Sequence, residues 1–220
     1  MTGKQKTEIK RLWQIKAVDS TSTLELRAIK PNNPIIVTKG FRANQYSNIE
    51  ALQQAFEDEA IKLNQQGYNI YVVMNAIKES FNGSSAKDED IKTRDLLLID
   101  IDRATSTKEP ANQTELDAAN TLSNDISTYL SGMGWGEPIK VMSGNGYHLY
   151  YKLGKLPNDL KHKELVEKTL KELAQKFDNS VVKVDTCVFN ASRITKVPGT
   201  IAYKGTESID RPYRMAKVLP

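Results

Sequence analysis

Residues 95–102 read DLLLIDID, a nearly continuous apolar run that carries two aspartates at its end. A run of this kind predicts a strand that is buried on both faces. Asp100 and Asp102 lie two positions apart, so on a strand they project from the same face, with Cα atoms about 6.6 Å apart. We therefore expect two carboxylates at the rim of a central strand.

Two carboxylates at one strand end can jointly hold divalent cations, and two-metal sites use acids in this way. The alternative is that Asp100 and Asp102 only end the strand and meet solvent. Like charges at this spacing repel each other, which raises the pKa of one of the two carboxyl groups unless a cation lies nearby. The repulsion therefore favours the interpretation that the two acids bind a metal ion.

The sequence on either side of this strand alternates between strand-like and helix-like patterns. Strands are predicted at 23–29, 34–39, 68–74, 138–142, 147–153 and 181–185, and helices at 114–131 and 159–177. A further helix is expected to begin at Ser47, with a capping box to Glu50, and to end at Gly67. Hairpins occur as well as crossovers and no long linker interrupts the chain, so we predict an α+β fold in a single domain, 1–220.

The chain has 220 residues, and 31 Lys and Arg against 27 Asp and Glu give a net charge of +4. The excess is uneven, because residues 140–220 hold 15 basic and 8 acidic side chains, a local balance of +7. A basic C-terminal portion predicts a surface for an anionic partner, although lysines on a solvated helix would give the same excess.

Cysteine and histidine are scarce, since the chain has one cysteine, Cys187, and two histidines. This excludes an internal disulfide framework and argues against a Cys/His zinc cluster, so a catalytic metal would be held mainly by carboxylates, as Mg²⁺ and Mn²⁺ are. The sequence starts without a hydrophobic signal core, and no apolar run reaches the roughly 20 residues of a membrane span. We expect a soluble, cytoplasmic protein without a membrane partner.

A glycine-rich turn, Ser143-Gly144-Asn145-Gly146, separates two predicted strands and is followed by Tyr147 and His148. Two glycines allow close backbone approach and positive φ, so successive N–H groups of the turn can point at an anion. His148 falls just inside the next strand, where its imidazole can reach a phosphate. The alternatives are an ordinary type I′ hairpin turn and a core histidine.

A third acid, Asp185, closes the strand-like run VVKVD, and the segment RITKVPGT follows it at 193–200. Arg193 and Lys196 could neutralise a triphosphate, the arginine by bidentate contacts and the lysine as a point charge. Solvation at the surface is the alternative for both cations.

These patterns occur in the order hhhhDhD, SGxGxH, hD and RxxKxPGT, where h is an apolar residue, within about 105 residues. In this order they resemble the catalytic domain of the archaeo-eukaryotic primase superfamily, the primase-polymerases of plasmids, phages and mobile elements. The resemblance extends from about residue 68 to residue 205 and includes a strand that ends in an asparagine, here Asn75.

The resemblance implies an N-terminal α/β unit packed on an RRM-like unit, with the active site between them. It also implies that two divalent metal ions, Mg²⁺ or Mn²⁺, are bound by the three acids. The implied site residues are Asp100, Asp102 and Asp185 for catalysis and metal binding, Ser143, Gly144, Gly146, His148, Arg193 and Lys196 around the nucleotide, and Asn75 as an accessory residue.

The implied reaction is template-directed nucleotidyl transfer, in which a 3′-hydroxyl attacks the α-phosphate of an incoming NTP or dNTP. The implied partners are a single-stranded DNA template, a primer strand and, in a longer replication protein, a helicase or a helical accessory domain. The resemblance leaves open whether synthesis begins without a primer.

Three other functions fit parts of the sequence. A rolling-circle replication initiator would need a His-x-His metal pair, and the run 147–151 contains a single histidine. A glycosyltransferase with a D-x-D motif leaves the glycine-histidine turn, Asp185 and Arg193 unexplained. A catalytically inactive nucleic-acid-binding module of the same fold has no need for all three acids.

Overall fold

A computed structural model describes residues 2–33, 35–105 and 107–220. Its helices are α1 Thr2–Ile9, α2 Leu12–Ile15, α3 Ile49–Gln65, α4 Gln113–Gly132 and α5 Leu160–Phe177, with short 3-10 turns at Ala43–Gln45 and Asp88–Asp90. Its strands are β1 Thr23–Ile29, β2 Ile36–Arg42, β3 Asn69–Val73, β4 Ala76–Ile77, β5 Ile91–Arg103, β6 Ile139–Met142, β7 Tyr147–Pro157, β8 Val182–Val184, β9 Ile194–Lys196, β10 Ile201–Ala202, β11 Arg214–Met215 and β12 Lys217–Val218.

The N-terminal unit is an antiparallel sheet in the order β2-β1-β3-β9, covered by the first three helices. Its core contains Leu24 and Leu26 of β1, Phe56 of α3 and Ile70 of β3, all fully buried. The fourth strand, β9, comes from far along the chain and pairs with β3. The sheet therefore brings residues 194–196 beside the N-terminal strands.

The second unit is an antiparallel sheet in which β8, β5, β7 and β6 lie side by side. Along the chain its elements follow the order β5-α4-β6-β7-α5-β8, so two βαβ-like halves interlock as they do in RRM-like folds. The predicted α+β class and the two-part architecture are both confirmed.

Strand β5 is the centre of the second sheet, and it is longer than the predicted run because it begins at Ile91. Residues 96–99 and 101 are buried, which confirms a strand covered on both faces. Leu98, Asp100 and Asp102 share the face that meets the first sheet, and the opposite face packs on α4.

Several local predictions were wrong in detail. Helix α3 is capped by Asn48, whose side chain accepts the Ala51 N–H at 2.8 Å, so the cap lies one residue after Ser47. Asparagine is at least as good a cap as serine, and its position fixes the start of the helix. Helices α1 and α2 were not predicted. A strand was predicted at 34–39. Strand β2 begins at Ile36, and Pro34 lies outside the described residues.

Within the described ranges, the structure has no helix that is both long enough and apolar enough to span a bilayer.

Candidate active site

An open cleft of about 650 Å³ lies between the two sheets. Asn69, Tyr71, Thr195 and Lys196 line it from β3 and β9, and the three predicted acids and His148 line it from the second sheet. The cleft thus occupies the predicted position between the two units, and it brings Asp100, Asp102, Asp185, Ser143, His148, Arg193 and Lys196 together.

The three acids are placed by strand pairing. The Asp185 N–H donates to the Asp100 carbonyl at 2.8 Å, directly after the β5–β8 pairing ends at Ile101 and Val184. Asp185 therefore lies across from Asp100, and opposite residues of an antiparallel pair share a face. One Asp185 carboxylate oxygen accepts the Cys187 N–H at 2.8 Å, which holds this side chain at the strand end.

The acids make this part of the cleft electrostatically negative. Burial and the nearby charge of Asp100 raise the pKa of Asp102 to about 6, against the opposing charges of Lys204, His148 and Arg103. Burial and the charges of Asp100 and Asp102 also raise the pKa of Tyr71 to about 12. A cation placed between the carboxylates would relieve this repulsion.

His148 is a buried imidazole, 6% exposed, directly opposite Asp100 in the β5–β7 register. Its Nε2 lies 3.3 Å from an Asp100 carboxylate oxygen and its Nδ1 lies 2.9 Å from the Tyr150 hydroxyl. Burial lowers the pKa of His148, but the charge and hydrogen bond of Asp100 outweigh it and the net shift is upward. The imidazole is thus satisfied by protein partners and also faces the cleft.

The Tyr150 hydroxyl continues this chain to the Thr195 hydroxyl, with which it makes a short hydrogen bond. Tyr150 belongs to β7 of the second sheet and Thr195 to β9 of the first. The orientation of His148 is therefore fixed by groups from both units.

The glycine turn approaches the acids closely. A Cβ added at Gly146 would overlap the Ile101 carbonyl and lie 2.7 Å from an Asp102 carboxylate oxygen. Gly144 has a φ of +108°, and a Cβ there would overlap Ala202. The two glycines therefore face protein, whereas Ser143 and Asn145 line the cleft. Because Asn145 does not share the positive φ, the turn is not of type I′.

The two cations of the segment 193–200 have different surroundings. Arg193 lines the cleft and donates to the Cys187 carbonyl. Lys196 is only 4% exposed, and its ammonium donates to the Asn69 side chain at 3.3 Å and to the Ile201 carbonyl at 2.9 Å. Burial lowers the pKa of Lys196 to about 7. Surface solvation is therefore excluded as the environment of Lys196.

Asn75 lies outside the residues that line the cleft and is fully buried. Its Nδ2 donates to the Ala191 carbonyl at 2.9 Å, and its Oδ1 accepts the N–H groups of Asp95 and Leu96 at 2.9 and 3.2 Å. Asn75 thus connects the body of β5 to the segment that leads into Arg193.

The residues that line the cleft but were missed by sequence reasoning include Tyr71, Asn69, Lys108 and Lys204. Asn69 and Tyr71 lie two positions apart on the predicted strand 68–74, so the sequence already placed their side chains on one face of that strand. The two lysines lie in irregular segments, where no periodicity marks the direction of a side chain.

The acids have the right chemistry for Mg²⁺ or Mn²⁺, which prefer oxygen ligands. The Asp102 carboxylate has no ion-pair or hydrogen-bond partner within the ranges that the structure describes, which leaves its oxygens free for a cation. Over the same ranges, no three His, Cys, Asp or Glu side chains are already arranged closely enough to hold a metal ion. The three carboxylates are suitable ligands for Mg²⁺ or Mn²⁺, but they are not yet close enough together to form a metal site.

No protein-family model matches the chain, and no curated protein matches it. Among solved structures it is similar to primase RepB′, with a TM-score of 0.55 and 13% identity over 98% of this chain and 56% of that one. The catalytic domain of RepB′ in complex with initiator DNA gives 0.53 and 13%, over 98% and 84%. The polymerase domain of Mycobacterium tuberculosis Ligase D in complex with DNA gives 0.55 and 14%, over 98% and 81%.

These neighbours are a primase and a polymerase domain, and the chain has the fold that they share. The resemblance inferred from the motifs is therefore confirmed at the level of the fold. The chain spans about 56% of the length of the primase RepB′ structure.

Proposed function

We propose that this chain is the catalytic domain of a DNA primase-polymerase. It would join nucleotides on a single-stranded DNA template, with a 3′-hydroxyl attacking the α-phosphate of an NTP or dNTP and pyrophosphate leaving. The observation that carries the proposal is the convergence of Asp100, Asp102 and Asp185 on one cleft, beside His148, in a fold shared with DNA primase and polymerase domains.

The three carboxylates would hold two divalent ions, Mg²⁺ or Mn²⁺. When bound, such ions lower the pKa of an attacking hydroxyl and stabilise the leaving oxygens. The chain contributes the positions of the acids, because Asp100 and Asp102 are fixed on β5 and Asp185 is held opposite Asp100 by the 2.8 Å backbone hydrogen bond.

The nucleotide phosphates would lie toward Ser143, His148 and Arg193, which line the cleft beside the acids. The raised pKa of His148 favours a charged imidazole. Because its two ring nitrogens already contact Asp100 and Tyr150, the imidazole would stabilise a phosphate through its positive charge. Lys196 would add a cation at the floor of the cleft. Gly146 would allow the turn to approach β5, and Gly144 would allow it to approach Ala202. Asn75 would hold β5 against residue 191.

The DNA template would follow the basic surface of residues 140–220, with an affinity that falls as salt rises. A primer strand would supply the 3′-hydroxyl, or a second nucleotide would supply it when synthesis starts without a primer. A helicase or helical accessory domain in a longer replication protein would be a further partner.

A DNA-binding module that has lost catalysis is the second candidate, because the acids are not arranged as a ready-made metal site over the described ranges. Incorporation of labelled nucleotides on primed and unprimed single-stranded DNA separates the two. We expect product with Mg²⁺ or Mn²⁺ and none after chelation with EDTA. DNA binding without product under every metal and nucleotide condition would favour the inactive module.

A further inference from the structure

Beyond the acids, the cleft continues into a smaller recess of about 240 Å³, here called the annex. The annex is lined by Asp102, Arg103, Thr105, Lys183, Asp185 and Lys204. It shares Asp102, Asp185 and Lys204 with the main cleft but includes none of Ser143, His148, Arg193 and Lys196. The acids therefore stand between two spaces: Arg103 and Lys183 line only the annex, Arg193 and Lys196 line only the main cleft, and Lys204 lines both.

Two lysines supply the positive charge of the annex that is available to a ligand. Lys183 lies opposite Asp102 in the β5–β8 register and is exposed. Lys204 is half-buried on the segment that follows β10. In the part of the chain that the structure describes, neither ammonium group has a hydrogen-bond or ion-pair partner, so both are free to bind an anion.

Arg103, in contrast, already makes hydrogen bonds and an ion pair within the protein. Its guanidinium donates to the carbonyls of Glu109 and Pro110 and pairs with the Glu115 carboxylate at 3.3 Å. It fixes the wall of the annex and leaves Lys183 and Lys204 as the groups that can meet a ligand. Two ammonium groups without partners, next to two carboxylates, fit a phosphate placed beside a bound cation rather than a neutral ligand.

Nucleotidyl transfer brings two substrates to the same acids. One carries the triphosphate that is attacked, and the other carries the attacking hydroxyl together with its own phosphate groups. Since the groups assigned to the triphosphate lie in the main cleft, the second substrate must approach from another side.

We propose that the annex binds a phosphate of the hydroxyl-bearing substrate through Lys183 and Lys204. This inference rests on the proposed function. The phosphate comes either from the last phosphodiester of a primer or from the triphosphate of an initiating nucleotide, and the chemistry of recognition is the same for both.

The kinetic test compares wild type with Lys183→Ala, because Lys183 lines only the annex whereas Lys204 also lines the main cleft. We expect about a tenfold increase in KM for the primer and less than a twofold change in KM for the incoming nucleotide, because only one substrate contacts Lys183. Lys183→Arg retains the charge and should recover most of the primer affinity. Lys152→Ala, an exposed lysine of β7 outside both spaces, is the matched control.

The source of the phosphate is distinguished by dinucleotide synthesis without primer. If the annex holds the initiating triphosphate, the wild type prefers a nucleoside triphosphate over the unphosphorylated nucleoside as initiator, and Lys183→Ala weakens that preference. If only primer KM changes, the annex holds the primer phosphodiester. An increase in KM for the incoming nucleotide alone, or no change in either KM together with an unchanged initiator preference, overturns the proposal.

A binding measurement decides the inference even for a chain that makes no product. Fluorescence polarisation gives the affinity for a primed template and for the same template without primer. The proposal predicts that Lys183→Ala loses affinity for the primed template about fivefold more than for the unprimed one, with a shallower salt dependence. Equal losses on both templates, together with an unchanged affinity for a nucleoside triphosphate, contradict it, whereas absence of product from wild type contradicts only the proposed function.

Discussion

The Asp185 N–H donates to the Asp100 carbonyl across 2.8 Å, which places the third acid opposite the first although most of the second unit separates them in sequence. The geometry of the candidate site is thus a property of the β5–β8 pairing. Asp100 lies on β5 and Asp185 directly follows β8, so regular strands set the positions of both acids. Side chains on strands are positioned more rigidly than side chains on loops.

The first prediction concerns the close approach of the glycine turn to β5. Gly146→Ala would force the turn away from the Ile101 carbonyl and the Asp102 carboxylate, because these groups leave no room for the added Cβ. We expect a loss of about 1–3 kcal/mol in the free energy of unfolding, the usual cost of overpacking. Urea denaturation measures it.

The matched control is Gly132→Ala near the end of α4, where a Cβ meets nothing within 4 Å. This change should leave the free energy of unfolding unchanged or raise it by up to about 1 kcal/mol, because glycine is a poor helix residue. Equal stability of the two alanine variants would refute the close approach at Gly146.

The second prediction concerns the hydroxyl between His148 and Thr195. Tyr150→Phe keeps the buried ring and removes the hydrogen bonds to both neighbours. Leaving buried polar groups without partners should lower the free energy of unfolding by about 1–3 kcal/mol. It should also reduce nucleotide incorporation, since the imidazole opposite Asp100 loses its support.

Tyr129→Phe provides the comparison for that experiment, because Tyr129 is exposed and packs on Phe177 through its ring. Its stability and activity should match wild type. If Tyr150→Phe behaves like Tyr129→Phe in both measurements, the hydroxyl chain does not position His148.

The third prediction is a pH dependence of stability. Burial lowers the pKa of Lys196 from 10.5 to about 7, so between these values the unfolded chain binds more protons than the folded chain. Stability due to this group must therefore rise with pH across that window, by at most about 1.4 kcal/mol per pH unit. Lys196→Met removes the titration.

Unfolding free energies of wild type and Lys196→Met, measured from pH 7 to pH 9, test this prediction. The difference between them should shift in favour of wild type as pH rises. Lys16 is also buried, with its pKa lowered to about 8, but it is present in both proteins and cancels in the difference. A difference that stays constant with pH would show that Lys196 is not titrated in this window.

The sequence predicted the elements whose signal is local. The apolar run that ends in Asp100 and Asp102 formed the central strand, because its pattern alone dictates burial on two faces. The hairpin around Gly144 followed from its turn residues, and the helix at 159–177 from its periodic pattern. The resemblance to the primase superfamily then implied one site for the three acids and His148 before their distances were known.

What the sequence did not predict depends on pairings between distant segments. Strand β9 has three residues, too few for a periodic signal, and it forms only because β3 is there to pair with it. That pairing buries Lys196, for which the sequence left open a phosphate contact or solvation at the surface. The contact between Gly146 and Asp102 likewise arises from packing across the sheet.

The central claim is that Asp100, Asp102 and Asp185 perform metal-dependent nucleotidyl transfer. The most direct measurement is the initial rate of nucleotide incorporation by Asp185→Asn on a primed single-stranded template, with circular dichroism confirming the fold. Asp125→Asn, on the exposed side of α4, is the isosteric control. We predict a rate more than about 100-fold below wild type for Asp185→Asn, which exceeds the usual effect of removing a residue that only hydrogen-bonds to a metal ligand. Asp125→Asn should have the wild-type rate. A rate for Asp185→Asn close to wild type would contradict the assigned site.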